Sequence, residues 1–588
     1  MAHSKPRVVV GLDFGTTYSG FAFAHVSAPD KVYTFFEYPK AGPEKPYCKT
    51  LTGSYYKNVG GVWRFKSWGY PARAEYARDI QAVRKQRLSG PSDDPFQPTL
   101  GTYVTRFKLH LATKDMGASS AQGLPAGLTV NVLITDYLRE MGALVLKTLQ
   151  DSYGAQLTKQ AIQWCVTVPS IWNNAAKATM KACMTSAGLV DGVDGSRHPL
   201  IVVLEPEAAS FFCHKAMSEQ VLKAGDKLLV ADIGGGTSDI VVQEVVSVGK
   251  SGYRVRESTT SSGGLCGGTY VDARFMEFLH KAIGPCLQVC ISEQPNVYSQ
   301  LIHAWELTKV NFGDNVSIGE SIDINLPSKL VTKWEEYDRR MGIPERDSYE
   351  ELEISYQEMQ SIFDPVIKQN MQLVHEQLQQ VGKVKVLVVV GGFAGSPYLM
   401  DCFRKRFAGM VPQIISPPNP GSAVCQGAVM LALSPDDAVL SRVCKKTYGV
   451  EVFRLFNKDL DPPNLKRMVL GMELCDKQFD AFVRKGDKVD VNSCISNEYA
   501  PDYPGQKILP ILMFSSDERD PIYTFDKGVR KEGEIRIDIS KGMALDMNRR
   551  VKVSLFFGGS SIEMKAEAVN FSAGRSDQFE LPIEFGFC

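Results

Sequence analysis

The chain has 588 residues, of which 44% are hydrophobic, 22% charged and 10% aromatic, a composition that excludes a disordered or fibrous polypeptide. Lys+Arg and Asp+Glu both number 66, so the formal net charge is zero and no global field favours nucleic acid or an acidic membrane surface. The length suits about three or four core-forming units.

The N-terminus reads Met-Ala-His-Ser-Lys-Pro-Arg and runs into a short apolar strand, without the apolar region and small-residue cleavage site of a secretion signal. The longest apolar stretch, 386–400, is broken by Gly391-Gly392 and Ser396-Pro397 and falls short of the ~18 continuous apolar residues of a spanning helix. A cytoplasmic protein, present also in the nucleus as an alternative, is expected, with no transmembrane segment and no nucleic-acid partner. The 13 cysteines are dispersed with no CxxC, which predicts buried reduced thiols and no zinc site. The sequons at Asn315 and Asn570 carry little meaning without secretion.

In chain order, an apolar strand at 8–10 comes first, and polar stretches at 84–99 and 188–199 read as surface connectors. A strand at 201–204 is followed by a helix over 207–223, with Pro206 in its first turn and Gly225 stopping it. A strand at 228–230 precedes a helix capped by Thr269, whose Val271, Phe275, Phe278, Leu279 and Ile283 recur at helical spacing. The run 384–390 is apolar on both faces, as in a covered sheet. Ser396-Pro397 then opens a helix ending near Gly409, and Asn419-Pro420 opens one reaching Leu433. Beyond a connector at 434–446 the texture changes to short strands and turns, at 482–489, 508–515, 533–539, 551–557 and 562–569. The chain therefore divides into an α/β domain at 1–433, a linker at 434–446 and a β-rich domain at 447–588.

Two segments of the first domain echo each other. Val8-Val9-Val10-Gly11-Leu12-Asp13-Phe14-Gly15-Thr16-Thr17 is a buried-type strand, an Asp, a glycine turn and hydroxyls. Leu228-Leu229-Val230-Ala231-Asp232-Ile233-Gly234-Gly235-Gly236-Thr237-Ser238-Asp239 repeats that order, and each copy is followed by another apolar run. Glycines let backbone N–H groups close on an anion, and hydroxyls add donors. Asp13 and Asp232 would repel a phosphate directly, so they make sense through an intervening Mg²⁺ and its waters. Two such hairpins facing each other would hold a polyphosphate from both sides. A third element, strand 386–390 followed by Gly391-Gly392-Phe393-Ala394-Gly395-Ser396-Pro397, places N–H groups at a positive helix end. The spacing is not G-x-G-x-x-G, and Glu244 stands where a P-loop ending in Gly249-Lys250-Ser251 needs its first glycine.

The segments Leu12–Ser19, Leu204-Glu205-Pro206-Glu207-Ala208-Ala209, Asp232–Asp239 and Gly264-Leu265-Cys266-Gly267-Gly268 resemble, in order and spacing over about residues 7–433, successive motifs of the heat shock 70 kDa (DnaK-like) chaperones. The glycine loop and the insertions are most similar to the divergent protein 12 branch. The resemblance implies a two-lobed actin-like ATPase domain, duplicated in the ribonuclease H-like manner, binding ATP/ADP and Mg²⁺. By it, Gly15, Thr16, Thr17, Tyr18, Gly234, Gly235, Gly236 and Thr237 grip phosphates, with Gly267 and Gly268 alongside. Asp13 and Asp232 organise the Mg²⁺ shell. Glu205 and Asp239 orient the attacking water, Lys108 meets the γ-phosphate, and Thr237 and Asp232 complete the catalytic set. Glu306 and Lys309 hold the adenosine, while Gly391, Gly392 and Phe393 form the third loop. Pro169 matches a relay proline, and Lys177 stands in for its arginine partner.

The resemblance extends more loosely to the β-rich domain, implying a groove for extended peptide or a sandwich that only packs on the ATPase part. The chain stops soon after its last strand, so no helical lid is expected, and the connector is poorer in leucine than the family's linker. Three activities follow: a chaperone-like slow ATPase with polypeptide clients or adaptor partners and co-chaperones; a nucleotide-gated adaptor with little hydrolysis; a small-molecule kinase of the same superfamily. The trailing β domain counts against the third.

Three positions depart from the family pattern. Val310 replaces an arginine that stacks on adenine, Gly313 a hydroxyl residue, and Gly395 a second arginine. Each lost guanidinium surface removes on the order of 1 kcal/mol of stacking or packing. Competition binding should therefore show ATP and a non-adenine nucleotide held with similar affinity, and strong adenine preference would refute the reading.

Overall fold

A computed structural model describes residues 5–39, 46–89, 100–111, 123–192, 195–216, 222–249, 252–313, 320–434, 439–491, 493–558, 561–570 and 579–586. The chain forms two compact units, one of Met1–Ile171, Thr179–Val242 and Ser262–Pro435, the other of Trp172–Ala178, Gln243–Ser261 and Asp436–Cys588.

The echo seen in the sequence is a duplication in the first unit. Strands Val8–Asp13 and Tyr18–His25 form an antiparallel hairpin; Val8–Asp13 also pairs in parallel with Ile162–Val168, which pairs in parallel with Ile201–Leu204. Lys227–Ile233 likewise leads into a strand starting at Ser238 and pairs in parallel with Val386–Val390, which pairs with Gln413–Ile415. Each half is thus a hairpin followed by two parallel strands, reached through helices that cover the sheet. Val8–Asp13 and Val386–Val390 are buried along their whole length, which is why they read as continuous apolar runs.

Helices Glu205–Ala216 and Ala423–Leu433 cross over the first sheet at bare backbone. A methyl on Gly427 would overlap the Ala208 carbonyl, and one on Gly11 would strike the Cys425 carbonyl. In the second half, helices Gly268–Ile283, Pro295–Asn311 and Tyr356–Val381 share one core, in which the Phe275 and Trp305 rings stack at 4.1 Å and 5°. That stack fixes the first two of these helices against each other.

The second unit contains a five-stranded sheet in the order Lys466–Val469, Met472–Val483, Thr447–Leu455, Ile508–Ser516, Val529–Asp538, and a four-stranded sheet of Ser493–Tyr499, Val551–Gly558, Ser561–Ala568 and Phe579–Gly586. Alternate residues of facing strands, among them Leu509, Ile511, Val553 and Leu555, build a shared core, the arrangement of a sandwich.

Several expected boundaries move. Residues 84–89 of the first expected connector continue helix Gly69–Ser89, and 90–99 lie outside the described residues. The helix expected over 207–223 runs Glu205–Ala216, with 217–221 outside the described residues. Gly267, rather than Thr269, occupies the N-cap of Gly268–Ile283. Pro420–Ser422 is a 3₁₀ turn before the helix Ala423–Leu433 proper. The strand expected at 482–489 is a turn between two strands, since Gly486 at φ +87° reverses the chain. Within the expected linker, Val439–Val443 is a strand pairing Val255↔Val439 on one side and Ser441↔Asp490 on the other, while 435–438 lie outside the described residues. Glu257 Oε2 accepts from the Val443 N–H at 3.0 Å. Among the described residues no helix is long and apolar enough to cross a membrane. All described cysteines are unpaired; most are buried, and Cys494 is exposed.

Adding a methyl where two helices touch backbone to backbone forces them apart. Gly427→Ala should destabilise the first unit by about 1–3 kcal/mol, read as a lower midpoint in denaturant; an unchanged midpoint would refute this packing.

Candidate functional site

The two hairpin turns face each other across a cleft of about 490 Å³ in the first unit. Their apposition is close: a Cβ on Gly235 would collide with Thr17 Oγ1, and one on Gly236 with Thr16 Oγ1. The first turn is closed by Gly15 N–H donating to Ser19 Oγ at 3.1 Å. The second is closed by Gly234 N–H donating to the Thr237 carbonyl at 2.9 Å. Of the residues expected in the site, Asp13, Gly15, Thr16, Thr17, Tyr18, Lys108, Glu205, Asp232, Gly234, Gly235, Gly236, Thr237, Gly268, Glu306, Lys309, Gly391, Gly392 and Phe393 line the cleft, as do Val310 and Gly395.

Two of the expected residues, Asp239 and Gly267, are not among those lining it. Asp239 is buried, and its Oδ1 accepts from the Ser170 N–H at 2.9 Å and from the Ser170 hydroxyl, which ties it to the residue after Pro169. The Gly267 and Gly268 N–H groups donate to the Gly236 and Gly234 carbonyls at 3.3 and 3.0 Å. They brace the second turn and are not presented to a ligand. The third loop also differs from expectation: Pro397 has no N–H, the Tyr398 N–H donates to the Phe312 carbonyl, and the Leu399 N–H to Ser396 Oγ. The helix end that was expected to offer donors satisfies them internally. Gly391, at φ +93°, brings the loop onto Asp232, whose carboxyl a side chain there would strike.

Charge is concentrated where the strands end. Lys108 Nζ donates to Glu205 Oε1 at 2.7 Å, both side chains being under a tenth exposed. Lys49, which the sequence reading missed, donates to Asp13 Oδ2 at 2.5 Å and is equally enclosed. Burial is the largest single influence and opposes the Lys49 charge, but Asp13, together with Tyr47 and Cys48, outweighs it and holds the ammonium above its ordinary value. Glu205 is pushed up to about 7, first by burial and then by Asp13 and Asp239, against the pull of Lys108. Asp232 is raised well above the carboxylate range by burial and by repulsion from Glu205, Asp239 and Asp13.

Excess buried carboxylate of this kind suits a hard cation with oxygen ligands. Among the described residues no three His, Cys, Asp or Glu side chains are grouped to ligate a metal directly, so a divalent ion here would be held through phosphate oxygens and water. Asp232 fits that role; Asp13 already carries an ammonium.

On the far wall, Glu306 and Lys309 lie one turn apart on helix Pro295–Asn311, and both are engaged. Glu306 accepts from the Tyr18 hydroxyl at 3.4 Å and faces Arg73 at 3.6 Å. Lys309 donates to Asp272 Oδ1 at 2.6 Å, which also accepts from Trp305 Nε1 at 3.0 Å, with Arg106 3.6 Å from Oδ2. Asp272 was missed as well. Its position four residues after Gly268, on the same helix, is the one local signal that pointed to it.

These features are those of a duplicated fold of the actin-like ATPase class. The model of the Hsp70 protein family matches residues 126–462, more than half of the chain, and the chain belongs to that family of actin-like, two-lobed ATPases. It is 26% identical to human heat shock 70 kDa protein 12A, over 97% of this chain and 90% of that protein, and 26% identical to human heat shock 70 kDa protein 12B over the same shares. Chaperone protein DnaK 3 of a Synechococcus strain is 24% identical over 52% of this chain and 43% of that protein. Members of this family bind ATP or ADP with Mg²⁺.

Lys108 is the cation that lowers Glu205, so its loss must raise that carboxyl further. Difference infrared titration against Glu205→Gln should place the Glu205 midpoint near 7 and move it upward in Lys108→Met; an unmoved midpoint would break the pairing.

Proposed function

We propose that this protein is a cytosolic ATP- and Mg²⁺-binding, chaperone-like slow ATPase whose nucleotide state is coupled to the binding of polypeptide partners. The observation carrying this reading is the apposition of the two glycine–threonine turns beside the Lys108–Glu205 pair. In it, the Thr16 and Thr17 hydroxyls and the backbone around Gly235 and Gly236 hold the phosphates. Lys108 stabilises charge developing on the terminal phosphoryl group, and Glu205 orients the attacking water. A carboxyl titrating near neutrality is matched to accepting that water's proton. Positioning and electrostatics then supply most of the rate, as in other phosphoryl transfers. The metal, when bound, neutralises phosphate oxygens beside Asp232. The thiols of the described residues, unpaired and mostly buried, suit a reducing compartment.

The β-rich unit is the proposed partner-binding part. Its outer strand Lys466–Val469 pairs on one edge only among the described residues, and Leu455, Met468, Leu470 and Met472 are exposed around it, which supports strand-like pairing with an extended polypeptide.

A second reading, a nucleotide-gated adaptor that scarcely hydrolyses ATP, is favoured by one observation: Asp239, expected to help orient water, is held by Ser170 outside the cleft lining. Single-turnover hydrolysis of Mg·ATP decides between them. A slow chaperone-like ATPase releases phosphate, and Asp232→Ala lowers the rate by about 100-fold or more; tight ATP binding without release supports the adaptor.

A further inference from the structure

The segment carrying Lys49 is tied to the first turn. The short strand Thr50–Leu51 pairs with the start of Tyr18–His25 through Ser19↔Thr50 and Tyr18↔Leu51, and the Thr52 N–H donates to the Thr17 carbonyl at 2.7 Å. The ammonium therefore keeps a fixed place relative to Thr16 and Thr17. Room for its stem comes from Gly20, where a Cβ would press on Lys49 Cγ and the Cys48 carbonyl. Lys49 lines the cleft. An ammonium has three donors, and among the described residues the one hydrogen bond of Lys49 is to Asp13, so donors remain for an acceptor inside the cleft. The other lysine beside these turns, Lys108, is engaged with Glu205. A polyphosphate entering a cleft already rich in carboxylate needs positive charge, and Lys49 supplies one that is permanently in place.

We propose that Lys49 is a phosphate-binding residue of this site: held on Asp13, its ammonium contacts polyphosphate oxygens and carries part of the neutralisation otherwise left to the divalent ion, so that nucleotide stays bound when that ion is removed. This rests on the nucleotide reading above. Lys49 replaces part of the metal's charge, whereas Asp232 remains the carboxylate beside which metal is retained.

The test is calorimetric titration of the full chain with ADP, in Mg²⁺ and in EDTA, for the unsubstituted protein, Lys49→Met and Lys49→Arg, with melting curves recorded for each. Unsubstituted protein should lose less than about tenfold in affinity on chelation. Lys49→Met should lose roughly ten- to a hundredfold in EDTA, as for one charge-assisted contact, and recover most of it in Mg²⁺, because the released Asp13 then attracts the metal. Lys49→Arg should stay near the unsubstituted protein in both buffers. Equal weakening of Lys49→Met with and without Mg²⁺ would make the lysine merely structural and overturn the proposal. If Lys49→Met does not fold, the unsubstituted protein still decides, since more than a hundredfold loss in EDTA overturns the proposal alone. No ADP binding by the unsubstituted protein in either buffer would overturn the nucleotide reading itself.

Discussion

Desolvated negative charge in and behind one cleft is the constraint to which this architecture answers. Asp13, Glu205, Asp232 and Asp239 are each under a tenth exposed, and their mutual repulsion adds to the cost of burial. Carboxylates survive there because rigid elements hold them. Asp13 ends Val8–Asp13, Asp232 is the penultimate residue of Lys227–Ile233, and Glu205 opens a helix whose dipole favours an anion at that end. Two lysines offset part of the charge, and breaking one such buried pair costs about 3–5 kcal/mol. The buried strands behind them serve as the frame that keeps these like charges from relaxing apart.

What was legible in the sequence was what is local. Each Asp–Gly–Thr turn spells its own geometry within a few residues, and the apolar strand before it announces burial, so both hairpins and their place in a duplicated α/β unit were readable. Lys49 was not, because nothing around Tyr47-Cys48-Lys49-Thr50 distinguishes it; its partner is 36 residues away and the contact arises only when Thr50–Leu51 joins the hairpin. The donors of the third loop misled for a related reason. A capped helix start looks open in sequence, yet the Phe312 carbonyl, brought in by a different helix, takes the Tyr398 N–H.

The β-rich unit shows the same division. Apolar-rich runs such as Ile508–Ser516 and Val551–Gly558 declared themselves, whereas Thr447–Leu455 and Ser493–Tyr499 mix polar and apolar residues and become strands through their neighbours. Val439–Val443, expected to connect, instead fills a gap between Gly252–Glu257 and Lys488–Asp490. A segment's role as spacer or as strand was settled there by available edges rather than by its own composition.

The glycine–threonine apposition has a mechanical side. Since neither Gly235 nor Gly236 leaves room for one more carbon against Thr17 and Thr16, a single methyl at either position acts as a wedge between the hairpins. It spreads the cleft without altering any charge in it. The spacing of the two turns and the electrostatics of the site are therefore separable quantities in this protein, each adjustable through a different small set of residues.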